Sequence, residues 1–305
     1  MTFMESCVMD EIKHYPVMYR EARELLRIEE ARVIVDCTLG LGGHACCFLE
    51  AAKNLSLYVG IDKDEESLSM AGERLKSFSQ KLRLVKSDFS HLDEALKNSG
   101  VNEADAIFFD LGISAYQLTK NERGFSFLQE GPLDMRMDRD SFVSAYDLVN
   151  NLSEEELTSV FFKFGEEHYS RRIARSIVEA RSREPISTTI QLARLVGAVV
   201  PVRSFKYRIH PATRIFQALR IAVNRELESL DAGVQKGISL LAKGGRIGVI
   251  SFHSLEDRIV KQTFKESASR GIIKVITKKP VEPQDKEIEE NTPSRSAKLR
   301  VGEKI

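Results

Sequence analysis

The sequence predicts an α/β protein whose parallel sheet is interrupted by a helical insertion, on three observations. Seven short apolar segments have the length and composition of strands. The first four alternate with stretches of helical length, the order that builds a parallel sheet covered on both faces. The alternation then stops for about a hundred residues, from Ser114 to Pro211, where helical patterns dominate, and afterwards resumes.

The elements follow in order. Residues 32–36 (RVIVD), 57–62 (LYVGID), 82–87 (LRLVKS) and 105–110 (DAIFFD) are apolar runs that each end near a polar residue or glycine. Between the second and third lies Glu65–Ser77, with Leu68, Ala71 and Leu75 at helical spacing. After the insertion, Thr213–Leu230 reads as one helix with Phe216, Leu219, Val223, Leu227 and Leu230 along a face. Strand patterns return at 246–252, 271–278 and 297–301, and Pro280–Pro293 reads as an exposed loop. The expected domains are 1–113 with 212–305 for the sheet, and 114–211 for the insertion.

Composition sets the class. The 305 residues are 42% hydrophobic and 30% charged, which excludes a disordered chain, and no apolar run is long enough to span a bilayer. Met1 to Tyr15 interleaves acids and bases and lacks the basic-then-apolar order of a secretion signal. Cys7, Cys37, Cys46 and Cys47 contain no CxxC pair, so reduced thiols in a cytoplasmic protein are expected. The six scattered histidines form no metal pattern, and no metal is expected. Net charge is zero, yet Gly165–Arg220 holds eleven Lys or Arg against four Glu, a local balance of +7. Such a block suits polyanion contact, although a solvated helix face carries charge runs as well.

The chemistry is expected outside the carboxyl ends of the strands, near the switch in strand order. The first strand runs into Asp36-Cys37-Thr38-Leu39-Gly40-Leu41-Gly42-Gly43-His44, where the glycines allow a sharp turn and close approach to a ligand. Asp62, ending the second strand, is placed to accept hydrogen bonds from ribose hydroxyls. These residues point to a nucleoside cofactor. Gly40-x-Gly42-x-x-Ala45 also fits the dinucleotide fingerprint, so a nicotinamide oxidoreductase competes with S-adenosylmethionine. Asp36 favours the latter, because a pyrophosphate would be repelled by it and an amino-acid moiety would not. Asp110-Leu111-Gly112, with Ser114 and Gln117 beyond, favours it too, offering polar groups to grip a methyl acceptor.

The chain resembles the RsmH (MraW) family of small-subunit rRNA methyltransferases nearly end to end. The matching blocks include His14-Tyr15-Pro16-Val17, DCTLGLGGH at 36–44, Asp110-Leu111-Gly112-Ile113-Ser114 with Gln117-Leu118, and Arg123-Gly124-Phe125-Ser126-Phe127. They continue with Leu133-Asp134-Met135-Arg136-Met137-Asp138, His210-Pro211-Ala212-Thr213-Arg214, Phe216-Gln217-Ala218-Leu219-Arg220-Ile221, Ser251–Arg258 and Arg295–Arg300. The resemblance implies a Rossmann-like class I methyltransferase with a seven-stranded mostly parallel sheet and an inserted helical domain that recognises RNA. It implies methylation of cytidine N4 in the decoding centre of 16S ribosomal RNA, within the assembled small subunit. Carried over by position, Gly42, Gly43, His44, Asp62, Phe89, Asp110 and Gln117 would contact S-adenosylmethionine. Ala115, Thr119 and Ala45 depart from the family pattern, the first two near the acceptor.

In that reaction the exocyclic amine is a poor nucleophile, and an acceptor beside it favours the attacking form. Asp110 is the expected catalytic residue, with a turn cap as its alternative. Attack through cytosine C5 is disfavoured, since it needs a cysteine nucleophile and none follows Cys47. Arg136, His210, Arg214 and His253 are candidate substrate contacts. Each has a plainer reading: Asp–Arg pairing for Arg136, a helix start for His210 and Arg214, a buried imidazole for His253. A non-catalytic RNA-binding or assembly factor on the same fold is the remaining alternative; it would have no need of Asp62 and Asp110.

Overall fold

The structure, a computed structural model, describes residues 16–201 and 210–305, and the chain divides into two compact units. Unit 1 comprises residues 1–112 and 227–305; unit 2 comprises 113–226. Among the described residues no helix is long and apolar enough to cross a membrane.

Unit 1 begins with α1 (Tyr19–Leu25), β1 (Val33–Asp36), α2 (Gly43–Ala51), β2 (Leu57–Asp62) and α3 (Glu65–Arg74). It continues with β3 (Leu82–Lys86), α4 (Leu92–Asn98) and β4 (Ala104–Asp110). The chain then passes through unit 2: α5 (Ala115–Thr119), α6 (Ala145–Asn151), α7 (Glu154–Gly165), α8 (Ser170–Arg181), α9 (Thr189–Val199) and α10 (Ala212–Asn224). It closes with α11 (Glu226–Leu240), β5 (Leu241–Ser251), α12 (Ser254–Ser269), β6 (Ile273–Val275), α13 (Asp285–Glu290) and β7 (Lys298–Lys304).

All seven expected strands are present in one sheet of order β3-β2-β1-β4-β5-β7-β6, in which β7 alone runs antiparallel to its neighbours. This is a doubly wound, mostly parallel sheet, as expected. Alternate side chains feed two cores, as a strand's period of two requires. Ile34, Tyr58 and Phe108 pack on one face with Leu26, Phe48 and Leu299. Val35, Val59, Ile107 and Phe109 pack on the other with Phe89, Val234 and Phe264. With both faces covered, the strands read as continuous apolar runs. The antiparallel β5–β7 pair is reinforced where Arg246 faces Glu303 at 2.8 Å.

The order reverses between β1 and β4, so a crevice opens at their carboxyl ends. Register sets Asp36 against Gly60 and Phe108, so that Asp62 and Asp110 each extend two residues beyond Asp36. Three aspartates thus end three neighbouring strands.

Unit 2 has its own core, built from Leu133, Met135, Phe161, Ile173, Ile177, Leu192, Val196, Ile215 and Leu219. Capping boxes start α5, α6, α7 and α9, at Ser114/Gln117, Ser144/Asp147, Ser153/Glu156 and Thr188/Gln191. The Arg123 guanidinium, 2% exposed, holds the carbonyls of Arg136 and Met137 at 3.1 and 2.9 Å.

Three expectations need correction. The single helix over Thr213–Leu230 is two helices, broken at Arg225, whose φ is +50°. Asn224 is drawn aside to bind the Met135 carbonyl and the Met137 amide, and Arg220 clasps Glu226 across the break at 2.9 Å. The return boundary moves from 212 to 227, because Ile215, Phe216 and Leu219 of α10 belong to the unit 2 core. The stretch 280–293 is not all loop; it carries α13.

Gly124, at φ +68°, sits where a Cβ would lie 2.1 Å from the Pro132 carbonyl oxygen. Gly124→Ala is therefore expected to destabilise unit 2 by at least about 1–3 kcal/mol, through both backbone strain and overlap. Urea unfolding followed by circular dichroism checks this; a loss below about 0.5 kcal/mol would contradict the close approach.

Candidate functional site

The loop after β1 is laced to the strand ends by its own backbone. Cys37 donates to the Phe108 carbonyl at 2.8 Å and Leu39 to the Ile61 carbonyl at 2.9 Å. Gly40 donates to Asp62 Oδ2 at 2.8 Å, and Thr38 to Asp36 Oδ1 at 3.1 Å. Thr38 Oγ1 accepts from the Asp110 amide at 2.6 Å, which ties the loop to β4. Gly42 turns the chain into α2 at φ +75°, and a Cβ there would meet the Leu75 side chain at 3.0 Å. Among the described residues no side-chain hydrogen bond caps α2, a setting suited to a carboxylate at the positive end of the helix dipole.

Asp62 is anchored on both oxygens, Oδ2 by Gly40 and Oδ1 by the Asp64 amide at 2.9 Å. A second lone pair on each oxygen is left over, which is the requirement for gripping paired hydroxyls. Burial raises its pKa, and the two amides only partly offset this. Phe89 packs edge-on against Phe109 at 5.5 Å and is 9% exposed. Gly233 of α11 leaves room for its ring, since a Cβ there would come within 2.8 Å.

The buried Asp36, Tyr58 and His44 form a polar group with the half-buried Asp110. Tyr58 Oη donates to Asp36 Oδ2 at 3.0 Å. Burial pushes the Asp36 pKa up to about 6, against the pull of His44, the Thr38 amide and the Tyr58 hydroxyl. His44 Nε2 lies 2.9 Å from the Val17 carbonyl, and Nδ1 lies 3.3 Å from Asp110 Oδ2. Burial alone would lower the His44 pKa, but Asp110, Asp36 and the Val17 carbonyl outweigh it and raise it. Asp110 Oδ1 is buried and has no hydrogen-bond partner among the described residues.

Gly42, Gly43, His44, Asp62, Phe89 and Asp110 all belong to unit 1, at or next to the carboxyl ends of β1 to β4. His253, also in unit 1, caps α12. Its Nδ1 accepts from the Glu256 amide at 3.4 Å, and Nε2 lies 3.1 Å from Glu256 Oε1 but off hydrogen-bond alignment. The other candidates lie in unit 2. Gln117 closes the capping box of α5. Arg136 is engaged with both Asp134 oxygens at 2.9 and 2.7 Å and with the Arg139 and Ser141 carbonyls. His210 accepts from the Ala212 amide at the start of α10 and packs on Phe127, while Arg214 pairs with Glu167 at 3.6 Å. Arg136 and His253 thus carry local structural roles that spacing alone did not reveal.

Tyr58 was missed in the sequence because an aromatic within a strand reads as core; its hydroxyl is the unseen part. Lys63 and Asp88 were missed as well. They pair at 2.9 Å beside Phe89, and Asp88 also takes the Ser229 hydroxyl at 3.2 Å. Their signal was position, each directly after the end of β2 or close behind β3. Burial alone would raise the Asp88 pKa, but Lys63 and Ser90 outweigh it and lower it. The basic window is also less outward-facing than its count implies. Arg181 sits on the Val149 and Leu152 carbonyls and Arg220 on Glu226, whereas Arg171, Arg172 and Arg175 line the exposed side of α8. Arg203, Lys206 and Arg208 lie outside the described residues.

A family model described as the MraW methylase family matches residues 11–305. The chain belongs to the MraW methylase family. Its curated relatives include "Ribosomal RNA small subunit methyltransferase H" of Sulfurihydrogenibium sp. (strain YO3AOP1), 48% identical over 294 residues, 96% of this chain and 100% of that protein. The like-named protein of Persephonella marina is 49% identical over 296 residues, with the same coverage. That of Geotalea daltonii is 46% identical over 312 residues, 97% of this chain and all of the relative. Membership of the MraW methylase family decides between a methyltransferase and a nicotinamide oxidoreductase in favour of the former.

Asp36 gives a pH signature. Its folded pKa of about 6 exceeds the ordinary 3.8, so its contribution to stability is complete below pH 3.8 and is lost as pH rises through 6. The loss at neutral pH is on the order of 3 kcal/mol. Asp36→Asn is expected to remove that component, so that wild type loses more stability than the variant between pH 4 and 7. Carboxyl 13C NMR gives the midpoint directly, and a value near 3.8 would contradict this account.

Proposed function

We propose that this protein transfers a methyl group from S-adenosylmethionine to N4 of a cytidine in small-subunit ribosomal RNA. The observation that carries the chemical part is the orphaned oxygen of Asp110. A buried carboxylate oxygen without a partner costs about 1–3 kcal/mol, a cost that a bound ligand with a donor would relieve.

The residues of unit 1 fit the cofactor. The uncapped start of α2, with Gly42 and Gly43, suits the amino-acid carboxylate. Asp62 suits the ribose hydroxyls, and the Phe89 ring offers an apolar wall to adenine. Bound there, S-adenosylmethionine supplies an activated methyl group on a sulfonium centre. The protein therefore needs to align the partners and stabilise the charge that builds on nitrogen. Asp110 accepts a hydrogen bond from the exocyclic amine through Oδ1, draws the nitrogen lone pair out of conjugation and offsets the developing positive charge. The proton shed by the methylated nitrogen passes to solvent.

Unit 2 supplies features suited to RNA. Arg171, Arg172 and Arg175 are exposed on α8, with Arg175 loosely paired to Glu154 at 3.4 Å. Phe142 is 98% exposed and, with Tyr146, borders a groove of about 300 Å³, offering stacking faces for unpaired bases. The relatives' printed names support small-subunit ribosomal RNA as the substrate, and the resemblance noted above supports N4 of a decoding-centre cytidine. The reading takes the assembled small subunit as the partner and the cytoplasm as the site of action.

Two expected outcomes test this reading. Asp110→Asn should slow single-turnover methylation at saturating S-adenosylmethionine by about 2.7–4 kcal/mol in barrier, with a smaller effect on RNA affinity. Product nucleosides are identified by mass spectrometry: a near wild-type rate removes Asp110 from the chemistry, and a methyl group on C5 or ribose overturns the N4 assignment. Replacing Arg171, Arg172 and Arg175 with Gln should lower the salt dependence of RNA binding by roughly two to three units in log–log slope while leaving cofactor affinity unchanged. An unaltered slope would make that face mere solvated surface.

A further inference from the structure

His44 lies at the second position of α2 and is 6% exposed, its ring held between Phe108 at 4.7 Å and Phe48 at 5.8 Å. Its two nitrogens face two oxygens that have only lone pairs to offer: the Val17 carbonyl at Nε2 and the Asp110 carboxylate at Nδ1. A neutral imidazole has one donor and one acceptor nitrogen, so one lone pair would point at an oxygen. Turning the ring over would set carbon against both oxygens. Only the doubly protonated ring satisfies both contacts. Among the described residues its charge is matched by Asp110 from β4, by Asp36 from β1 with Tyr58 of β2 behind it, and by Glu287 from α13.

We propose that His44 is held as an imidazolium and acts as a positioning residue for Asp110, fixing the carboxylate by Oδ2 so that Oδ1 alone is left for the methyl-accepting amine. The inference rests on the role given to Asp110 above and adds a requirement of its own. Oδ2 is occupied by a charged donor, so the carboxylate has one orientation and cannot rotate its second oxygen toward substrate. The positive ring also offsets the repulsion between Asp36 and Asp110. As pH rises and the ring loses its proton, one clasp opens, and the rate of transfer falls although cofactor and RNA remain bound.

The protonation state is read without activity, by 15N NMR of the full-length protein labelled at histidine. Both His44 nitrogens should report N–H at pH 7, with a midpoint above that of ordinary histidine, and Asp110→Asn should lower that midpoint. An unprotonated ring nitrogen at pH 7 overturns the proposal. The function is tested by a double-mutant cycle in single-turnover methylation. His44→Gln, which keeps one donor, should slow transfer at least tenfold, yet less than threefold further when added to Asp110→Asn. Multiplicative losses would show that His44 acts independently of Asp110 and would overturn the positioning role. The wild-type rate should also decline through the NMR midpoint of His44, a limb that Asp110→Asn abolishes; a limb that persists overturns the coupling. If His44→Gln fails to fold, the NMR titrations and the pH limb still decide. A product other than N4-methylcytidine, found with a doubly protonated His44, would refute the reaction and leave the pairing standing.

Discussion

Three aspartates end adjacent parallel strands, Asp36 buried and Asp62 and Asp110 half-buried, and the site is organised around how each finds compensation. Asp62 is met by backbone amides of the glycine loop and of α3's first turn. Asp36 is met by a tyrosine hydroxyl and by Thr38. Among the described residues Asp110 is met on one side only, by His44. Register places the three carboxylates within one crevice, so their partners had to differ in strength and in charge. The result is one acid held by two amides, one pushed toward neutrality by burial, and one with an unpartnered oxygen among the described residues. The glycine loop is the common element, because its amides and the histidine that follows it reach all three strands.

Much of this was legible before any coordinates. The seven strands were, because a sheet covered on both faces demands unbroken apolar runs such as VIVD and AIFF, which few other structures tolerate. The glycine loop and Asp62 were legible through their position after strands. The break at Arg225 was not, because the apolar face of Thr213–Leu230 continues through it. What interrupts the helix is Asn224 reaching a segment nearly ninety residues away, which no local period reports. The domain boundary failed for a related reason: an amphipathic face announces that it packs, but not which core it joins.

Among polar residues, the sequence separated chemistry from scaffolding less well. Arg136 and His253 looked available for a substrate, yet Arg136 serves an Asp–Arg clasp and His253 the start of α12. Arg and His are good at both tasks, and only the identity of the nearest acceptor distinguishes them. Tyr58 shows the converse, with a polar role concealed in a strand that reads as core. The pairing of His44 with Asp110 spans a distance in sequence that only the parallel register closes.

The discontinuity of unit 1 also has a consequence for biosynthesis. β4 pairs with β1 as soon as both have emerged, but its other edge belongs to β5, which follows only after roughly 130 residues. At about 5–20 residues per second, that edge waits on the order of 7 to 26 seconds for its partner. Throughout that interval Ile107, Phe108 and Phe109 border an open ladder, the kind of surface that recruits other nascent chains. The described part of the intervening segment is mostly helical, and α6 to α10 contribute to a core of their own, which local helical contacts form quickly. A helical insertion at this point keeps the half-built sheet in the company of a segment that offers it no competing strand.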